Sequence, residues 1–532
     1  MADTNDSLKP HPLGRDRYLV SREIFDRNLR GVPGVISYKP QVEYAIHRNH
    51  LPLIGHSTQI SIAPLWPPAT FQDGTSPRPW QQEITPFIRS RFGSYLAWSM
   101  RTGKTGASLL AHHLDYDGAL IILGPKQSRS VWMNWCRRRW TDGKIGCLNG
   151  VKFDPKQLRG FDAIFLHYEI AAAWNTLSLA SYIGKPVGTM ILDESHLLSN
   201  AKSLRTQAVG VMSSNAARVI ALSGTPIFNR VSGIHSVLSM LNPAGWGSYW
   251  DFAKRYNGAK PGTWGWTLGE TTHEDELRSR LTEVVSIKSW QDVVDHVPEV
   301  THRVVTVEMP PAKTIELTKL AETIRTGSGR RSTIGEIARM RRVLGITKAF
   351  TAASEAKDVL RSGRSVVVWV WHHDVAEKVS KELAKEFPTV FVVTGEDGSD
   401  KRDQIIDLWR GASPSPLVIS IAVGQVAIDL SQSDECIFAE QDWTPATMSQ
   451  AEMRTFSPSR PMSVTQIVAD HVVDLQIVNA LVGKCRQAQN VGLSASDNMM
   501  NFLHEALGGA PVLLDDFVGL MDFSRIGEEE EE

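Results

Sequence analysis

The chain has 532 residues, of which 42% are hydrophobic and 22% are charged, and its formal net charge at pH 7 is −1. This length exceeds what a single hydrophobic core supports, and the composition excludes disordered and fibrous classes of protein. The near-zero net charge also excludes a uniformly basic nucleic-acid-binding chain, so any basic surface must be local.

The cysteines and the apolar segments bear on the cellular compartment. The four cysteines lie far apart without metal-ligand spacing, which favours a reducing environment over a disulfide framework. The N-terminal sequence MADTNDSLKPHPLGRD lacks the apolar segment of a signal peptide, and no apolar stretch reaches membrane-spanning length. We therefore expect a cytoplasmic protein without a membrane partner.

In chain order, a small module precedes two α/β blocks. Residues 1–75 alternate short apolar runs with Gly and Pro, which predicts a small N-terminal α/β module. From about residue 80 to 225, aliphatic runs such as ALIILGP and GTMILDE alternate with helical stretches, which predicts parallel β-α-β units around a buried sheet. A charged helical segment follows, and a second alternating block begins at SVVVWVWHH (365–373). Two blocks of similar rhythm indicate a duplicated fold.

The segment WSMRTGKTGAS (98–108) lies between a predicted strand and a predicted helix. A strict phosphate loop needs a glycine where Trp98 stands, so the pattern is incomplete. The remaining Gly103-Lys104-Thr105 still combines backbone N–H groups at a helix start with a mobile cation and a hydroxyl suited to Mg²⁺. From these residues alone, a phosphate site and an ordinary loop both stay open.

The segment MILDESH (190–196) places two acids directly after a predicted buried strand. Ligands of open α/β sheets bind at the carboxyl ends of the strands. Asp193 is suited to hold Mg²⁺, and Glu194 is suited to orient or deprotonate a water molecule. A helix-capping acid pair is the alternative, but the Gly-Lys-Thr about 90 residues upstream in the same block favours phosphate chemistry.

Together these motifs resemble the Snf2-type branch of superfamily 2 helicase-like ATPases, over residues 76–485. LDESH resembles the Asp-Glu-x-His box of that family, and VIALSGTPIFN resembles its Ser/Thr-Gly-Thr-Pro motif. PRPWQQEITPFI is similar to the adenine-side motif, LGPKQSRSVWMNW to motif Ia, LHYEI to motif Ib and VVVWVWHHDVAEKVSKEL to motif IV. Motifs V and VI are joined in ISIAVGQVAIDLSQSDECIFAEQDWTPATMSQAEMR, whose second half is similar to annealing-helicase and phage-encoded members.

The resemblance implies an α/β fold with two tandem RecA-like parallel-sheet lobes and a helical insert. The predicted parts are an N-terminal accessory module (1–75), an ATP-binding lobe 1 (76–290), a helical and basic linker (291–355), lobe 2 (356–485) and a tail with an acidic end (486–532). ATP would be bound by residues of both lobes.

The resemblance also implies roles for single residues. The implied catalytic residues are Lys104, Asp193, Glu194, Arg454 and Arg460. The implied nucleotide-binding residues are Arg78, Gln81 (reading the adenine edge), Met100, Arg101, Thr102, Gly103, Lys104, Thr105, Gly424, Asp429 and Gln450. Mg²⁺ would be held by Thr105 and Asp193, and the ATP and DNA sites would be coupled by Ser223, Gly224 and Thr225. DNA phosphates would be contacted by Lys126, His167, Tyr168, Thr394, Lys401 and Arg402.

Two motifs depart from the family pattern. In motif V, Gln425, Ala427 and Asp429 stand where Gly, Gly and Asn are usual. In motif VI, Ser457 replaces the second of two arginines, and Arg460 is the candidate substitute. Because an arginine finger contributes roughly 10³–10⁵ in rate, these departures bear directly on turnover.

The function that the resemblance implies is ATP- and Mg²⁺-dependent translocation on double-stranded or branched DNA, with branch migration, reannealing or displacement of bound protein. A nucleotide- and DNA-binding scaffold that no longer hydrolyses ATP is one alternative, and an RNA helicase is another. Retention of Lys104, Asp193 and Glu194 favours the enzyme over the scaffold. The joined motifs V and VI favour DNA over RNA.

Overall fold

The structure is a computed structural model that describes most of the chain from residue 71 onward and four short strands before it. The described residues are 9–11, 14–21, 36–39, 43–47, 71, 74–113, 117–151, 154–174, 176–227, 230–243, 245–262, 265–294, 297–326, 330–424, 428–442 and 444–493. They form two compact units: unit 1 reaches to Val293 and includes 490–493, and unit 2 runs from Val294 to Gln489.

The N-terminal part of unit 1 contains a four-stranded antiparallel sheet. Its strands are β1 (Lys9–His11), β2 (Gly14–Ser21), β3 (Ile36–Lys39) and β4 (Glu43–His47), in the order β1-β2-β4-β3. Each of its three strand pairs is antiparallel. The helical part of the predicted 1–75 module falls outside the described residues.

The main sheet of unit 1 has seven strands, and every pair in it is parallel. Its strands are β5 (Gly93–Trp98), β6 (Ala119–Gly124), β7 (Ile145–Leu148), β8 (Ala163–His167), β9 (Val187–Leu192), β10 (Val219–Leu222) and β13 (Val285–Lys288), in the order β13-β5-β10-β9-β6-β8-β7. Strands β5, β6 and β9 are buried along their whole length, which is why the sequence shows them as continuous apolar runs rather than alternating ones.

Helices and a short hairpin complete unit 1. The helices are α1 (Pro79–Arg89), α2 (Lys104–Leu110), α3 (Arg129–Arg139), α4 (Thr176–Ile183), α5 (Leu204–Ser214), α6 (His235–Leu241), α7 (Tyr249–Tyr256) and α8 (Glu274–Leu281). The hairpin pairs β11 (Lys260–Gly262) with β12 (Gly265–Thr267).

Unit 2 contains a second, six-stranded sheet in which all pairs are again parallel. Its strands are β14 (Val300–Val307), β15 (Val366–Val370), β16 (Phe391–Val393), β17 (Pro416–Ser420), β18 (Glu435–Phe438) and β19 (Met462–Ala469), in the order β14-β19-β18-β15-β17-β16. Its helices are α9 (Pro311–Thr326), α10 (Arg330–Arg361), α11 (His373–Ala384), α12 (Ser399–Gly411), α13 (Ile421–Gly424), α14 (Pro445–Thr455) and α15 (Val472–Asn490). The predicted pair of parallel-sheet lobes is confirmed. In the described part of the chain, no helix is both long and apolar enough to span a membrane.

The segment predicted as a linker, 291–355, belongs to unit 2 from Val294 onward. Strand β14 pairs along its full length with β19, more than 150 residues later in the chain, as the edge strand of the sheet. Helix α9 and most of helix α10 lie within this segment, in agreement with the predicted helical character of the linker. Local sequence could not reveal the strand, because the partner that satisfies its backbone lies at the far end of the domain.

A buried ion pair ties helix α10 to helix α15 within unit 2. Lys348 Nζ donates hydrogen bonds to Gln441 Oε1 (2.8 Å) and to both carboxylate oxygens of Asp474 (2.9 and 3.2 Å). Asp474 Oδ2 also accepts the Ala469 N–H at 2.7 Å. Both charged side chains are almost fully buried and lack contact with water. Each charge is therefore stabilised by the opposite charge of its partner.

Replacing Lys348 with methionine is expected to destabilise unit 2 by about 3–5 kcal/mol, because Asp474 then keeps a buried charge without its partner. The double change Lys348→Met, Asp474→Asn should recover most of that loss. Thermal and urea unfolding of the full chain measure both. The control is Lys381→Met, which breaks an exposed pair with Glu377 and should cost less than about 1 kcal/mol. Equal losses for Lys348→Met and Lys381→Met would contradict the role given to the buried pair.

Candidate nucleotide site

The loop between β5 and α2, which is predicted to bind phosphate, makes a sharp turn. Arg101 (φ 61°) and Gly103 (φ 93°) both adopt the left-handed conformation, so the chain turns sharply before Lys104 starts the helix. Thr102 is buried, and its Oγ1 donates to Ser99 O at 2.7 Å, which closes the turn. The departure from the usual glycine-rich sequence therefore leaves the turn intact.

Helix α1 braces this loop from outside. Gln81 Nε2 donates to Gly103 O (2.8 Å), and Trp80 Nε1 donates to Thr102 O (2.9 Å). A Cβ at position 103 would lie 2.4 Å from Gln81 Nε2, so glycine is required there for the close approach as well as for its φ angle. Arg78, which is exposed, donates a hydrogen bond from its Nη1 to Arg101 O at 3.4 Å.

Gln81, which is predicted to read the adenine edge, is hydrogen-bonded at both ends of its amide. Its Oε1 accepts the Arg78 N–H at 2.9 Å, its Nε2 is bound to Gly103 O, and the residue is only 3% exposed. Both ends of the amide are therefore used to start helix α1 and to hold the loop. The amide keeps a second N–H and a second acceptor lone pair, so contact with the adenine edge stays a prediction.

Lys104 lies against the loop that it follows and against the Ser-Gly-Thr segment. Its Nζ donates to Trp98 O (2.9 Å) and Ser99 O (3.2 Å). A Cβ on Gly224 would lie 3.6 Å from Lys104 Nζ and 2.9 Å from Met100 Cγ, so the glycine leaves room for the lysine and the loop. Thr105, the next residue of α2, is half-buried.

Asp193 directly follows β9 and is held by two aromatic residues. Trp132 Nε1, from helix α3, donates to Asp193 Oδ2 at 2.7 Å, and the Tyr168 hydroxyl donates to Asp193 O at 2.7 Å. Burial raises the pKa of the Asp193 carboxyl above its usual range, and the Glu194 carboxylate raises it further. The Trp132 hydrogen bond lowers that pKa, because it favours the ionised form.

Glu194 is held in a strained position with an unused acceptor. Its φ angle of 46° is left-handed, which costs a non-glycine residue about 1–2 kcal/mol. Its Oε2 is buried without a hydrogen-bond partner and lies 3.5 Å from His196 Nδ1, and Thr225 Oγ1 is also buried without a partner. Unsatisfied buried oxygens at the carboxyl ends of parallel strands, next to a lysine and a second carboxylate, are what a bound phosphate, metal ion and water would satisfy. The hydroxyl of Thr105 and the carboxylate of Asp193 are oxygen ligands that suit Mg²⁺.

Residues 193–196, here called the acid box, are joined by hydrogen bonds to the Ser-Gly-Thr segment and to the end of strand β10. Ser195 Oγ donates to Leu222 O (3.2 Å), and His196 Nδ1 lies 2.9 Å from Ser223 Oγ. Ser223 Oγ in turn accepts the Thr225 N–H at 3.0 Å. Burial, assisted by the charge of Lys104, lowers the pKa of His196 to about 3, so the imidazole is neutral at physiological pH.

The predicted site residues of unit 2 gather around the end of helix α13. Arg454 Nε, on α14, donates to Gly424 O at 2.9 Å. Gln450 is buried on the same helix. Asp429 uses its Oδ1 to accept the Ser431 N–H at 3.1 Å. The motif V residues 425–427 lie outside the described residues.

Arg460, the predicted substitute for the second arginine of motif VI, is bonded to main-chain oxygens of unit 2. Its Nη2 donates to the main-chain oxygens of Ser431 and Gln432 (3.2 Å to the latter). Arg460 is exposed, whereas Arg454 is half-buried against the loop that carries Gly424. The two arginines therefore have different main-chain partners within unit 2.

The predicted DNA contacts of unit 1 fall into two groups. Lys126 is exposed just after β6, as a phosphate contact requires. Tyr168 is instead 1% exposed and uses its hydroxyl on Asp193 O, so its side chain positions the acid box rather than reaching a surface ligand. His167 is buried with its Nδ1 2.6 Å from Glu169 Oε2. Both side chains are buried, and a direct DNA contact of Tyr168 and His167 stays a prediction.

In unit 2, Asp397 organises the predicted DNA contacts. Its carboxylate accepts hydrogen bonds from the N–H (2.7 Å) and the hydroxyl (3.0 Å) of Thr394. It also forms an ion pair with Lys401 Nζ at 2.6 Å. Lys401 is exposed, so a phosphate could replace Asp397 at small cost. Arg402 is half-buried on the same helix, α12.

Comparison with known families identifies both units. The SNF2-related domain matches residues 68–337, just over half of the 532 residues, and the helicase conserved C-terminal domain matches residues 352–458. The chain belongs to the SNF2-related family.

Relatives of this SNF2-related chain include annealing helicases. It is 25% identical over 441 residues to a SWI/SNF-related matrix-associated actin-dependent regulator of chromatin subfamily A-like protein 1 of Xenopus tropicalis, covering 80% of this chain and 46% of the relative. It is 23% identical over 414 residues to the DNA annealing helicase and endonuclease ZRANB3 of Mus musculus, covering 74% and 39%. The chain thus spans less than half of the length of these relatives. The Sulfolobus solfataricus SWI2/SNF2 ATPase core in complex with dsDNA is similar at 18% identity with a TM-score of 0.40, covering 84% of this chain and 98% of that one.

Two residues of the SNF2-related chain contact the predicted site without having been predicted there. Trp132 binds Asp193 through its indole N–H, and His196 joins the acid box to Ser223. The LDESH resemblance could have identified His196, because the histidine is part of that motif. Trp132 lies in the stretch that resembles motif Ia, but a tryptophan in a helix is usually core, and only the fold brings its N–H to Asp193.

Removing the Trp132 hydrogen bond is expected to change both rate and pH dependence. Trp132→Phe keeps most of the ring but loses the donor, so the pKa of Asp193 rises further and the acidic limb of ATPase activity moves to higher pH. Activity at neutral pH should fall about 10- to 100-fold, with a higher Mg²⁺ requirement. Phosphate release across pH at two Mg²⁺ concentrations measures this, with Trp135→Phe on the same helix as the control. An acidic limb identical to that of the parent would refute the role of the indole.

Proposed function

We propose that this SNF2-related chain is an ATP-dependent DNA translocase that moves on duplex or branched DNA. One observation carries the proposal: Lys104, Asp193 and Glu194 adjoin within unit 1, and Glu194 keeps a buried oxygen without a hydrogen-bond partner. A scaffold that only bound nucleotide would have no need to hold an acid in a strained conformation with an unused acceptor.

The chemical roles follow from charge and position. Lys104 would bind the β- and γ-phosphates, and Thr105 with Asp193 would hold Mg²⁺, which neutralises phosphate charge when bound. Glu194 would orient the attacking water or accept its proton, since its Oε2 is the unsatisfied acceptor. Arg454 of unit 2 would supply the cation that stabilises transition-state charge.

Coupling to DNA would pass through Ser223, Gly224 and Thr225. Ser223 is bonded to His196 of the acid box and to the Thr225 N–H, so displacement of this segment would move the acid box. Lys126, Lys401 and Arg402 would contact DNA phosphates, which carry no sequence information. Binding should therefore be largely sequence-independent and should weaken steeply with salt.

The proposal is tested by phosphate release with and without duplex DNA, and with forked DNA as a separate arm. We expect stimulation by both DNAs, loss of stimulation between about 50 and 200 mM salt, and displacement of a triplex strand from duplex DNA. Stimulation by duplex RNA but not DNA would support the RNA helicase. ATP binding without hydrolysis would support the scaffold, which the departures at Asp429 and Ser457 favour. The cytoplasmic location and the link to phage-encoded proteins stay predictions.

A further inference from the structure

Helix α7 and the β11–β12 hairpin bring two tryptophans together at the surface of unit 1. Trp250 and Trp266 are 39% and 38% exposed, and their ring centroids lie 5.3 Å apart with a 32° tilt. Lys254, one helical turn after Trp250, places its Nζ 4.7 Å from the Trp266 ring centroid. We call Trp250, Trp266 and Lys254 the tryptophan platform.

The helix and the hairpin have other anchors. Helix α7 buries Phe252 and Tyr256, whose ring centroids lie 4.8 Å apart. Beyond the hairpin, Asn257 Nδ2 donates to Gly269 O (2.7 Å) and Asn257 O accepts the Gly269 N–H (2.8 Å), which closes its base. Since the helix and the hairpin have these other contacts, the two large apolar rings that meet at the solvent-exposed surface are candidates for a binding role.

Charges of both signs surround the two rings, and the one that lies over an indole face is the cation of Lys254. The Asp251 carboxylate accepts the Ser248 hydroxyl at 2.6 Å, and the Glu276 carboxylate accepts Arg255 Nε at 2.7 Å. Asp251 keeps its negative charge, which interacts with Lys254, and Glu276 is paired with Arg255, while the ammonium of Lys254 lies over the Trp266 ring. An aromatic face beside a lysine complements a ligand with a flat π-system and a nearby negative charge.

We propose that the tryptophan platform binds unpaired bases of a DNA single strand, with Lys254 next to the phosphates. This inference rests on the proposed function, and it specifies which part of a branched DNA substrate unit 1 would hold. A nucleobase stacks on indole whatever its identity, so the contact would be tolerant of sequence. Paired bases present their edges rather than their faces, so an intact duplex would not engage the platform.

The test measures the affinity of the full chain for a labelled single-stranded oligothymidine by fluorescence anisotropy, without ATP. We expect Trp250→Ala and Trp266→Ala to weaken binding about five- to 150-fold each. The matching Trp→Phe variants should lose less, because they keep a ring. Tyr182→Ala is the control: Tyr182 is an aromatic residue, 37% exposed, on helix α4 of the same unit.

ATP hydrolysis separates this inference from the proposed function. The tryptophan variants should keep the stimulation by blunt duplex and should need more forked DNA for half-maximal stimulation. Unchanged oligothymidine affinity, or an equal loss with Tyr182→Ala, would overturn the platform. Loss of thermal stability together with blunt-duplex stimulation would show that the pair only packs the hairpin, and altered self-association with unchanged oligonucleotide binding would show a protein contact. If the parent hydrolyses no ATP but binds oligothymidine through the tryptophans, the proposed function fails and the platform stands.

Discussion

Replacing Glu194 with glutamine is expected to reduce ATP hydrolysis about 10²- to 10⁴-fold while ATP still binds. Glutamine keeps the size of the side chain but cannot accept a proton or carry the charge that orients the attacking water. The affinity for a fluorescent ATP analogue and the rate of phosphate release, both measured with saturating duplex DNA, separate binding from chemistry.

Lys104→Ala serves as the companion variant. It removes the cation beside the loop, so both affinity and rate should fall, the rate by at least about 10²-fold. Glu83→Gln, at an exposed position of helix α1, is the matched control and should behave as the parent does. A Glu194→Gln variant that hydrolyses ATP at the parental rate would remove the assignment of this acid pair.

Replacing Arg454 with alanine is expected to lower turnover about 10³- to 10⁵-fold, the range of an arginine finger. Arg460→Ala should lower it less than tenfold if Arg460 serves only its main-chain partners Ser431 and Gln432. Single-turnover hydrolysis with excess DNA measures both, since it avoids limits set by product release.

The variant Ser457→Arg restores an arginine at the position where motif VI usually has its second one. If the chain lacks a finger at that position, this change should raise turnover several-fold. If Arg460 already performs the role, Ser457→Arg should have little effect and Arg460→Ala should be nearly as severe as Arg454→Ala. Small losses for both Arg454→Ala and Arg460→Ala would mean that neither residue contributes the finger.

The parallel strands of both lobes could be predicted from sequence because burial on both faces gives continuous apolar runs. ALIILG and VGTMIL are strands β6 and β9. Strand β14 was missed, since its exposed edge position interrupts the apolar run and its partner β19 lies far along the chain. The same limit applies to Lys348, whose burial depends on Asp474 of a distant helix.

At the site, residue types could be predicted but not the hydrogen bonds that hold them. The acid pair lies after a strand as expected, because strand ends and ligand sites coincide in such sheets. Gln81 and Tyr168 were predicted as ligand contacts, and the structure shows in addition that they brace the loop and Asp193. Sequence pattern identifies a polar atom, but only the packed structure shows which of several possible partners it bonds.

The His196–Ser223 link has a consequence for experiments at high ionic strength. Because the imidazole has a pKa of about 3, both partners carry no charge, and dissolved ions have nothing to screen between them. A sodium chloride concentration that releases DNA from Lys126 and Lys401 should therefore leave the His196–Ser223 hydrogen bond intact. If this bond survives, protein that has been kept at high salt and then desalted should recover its full rate of DNA-stimulated ATP hydrolysis.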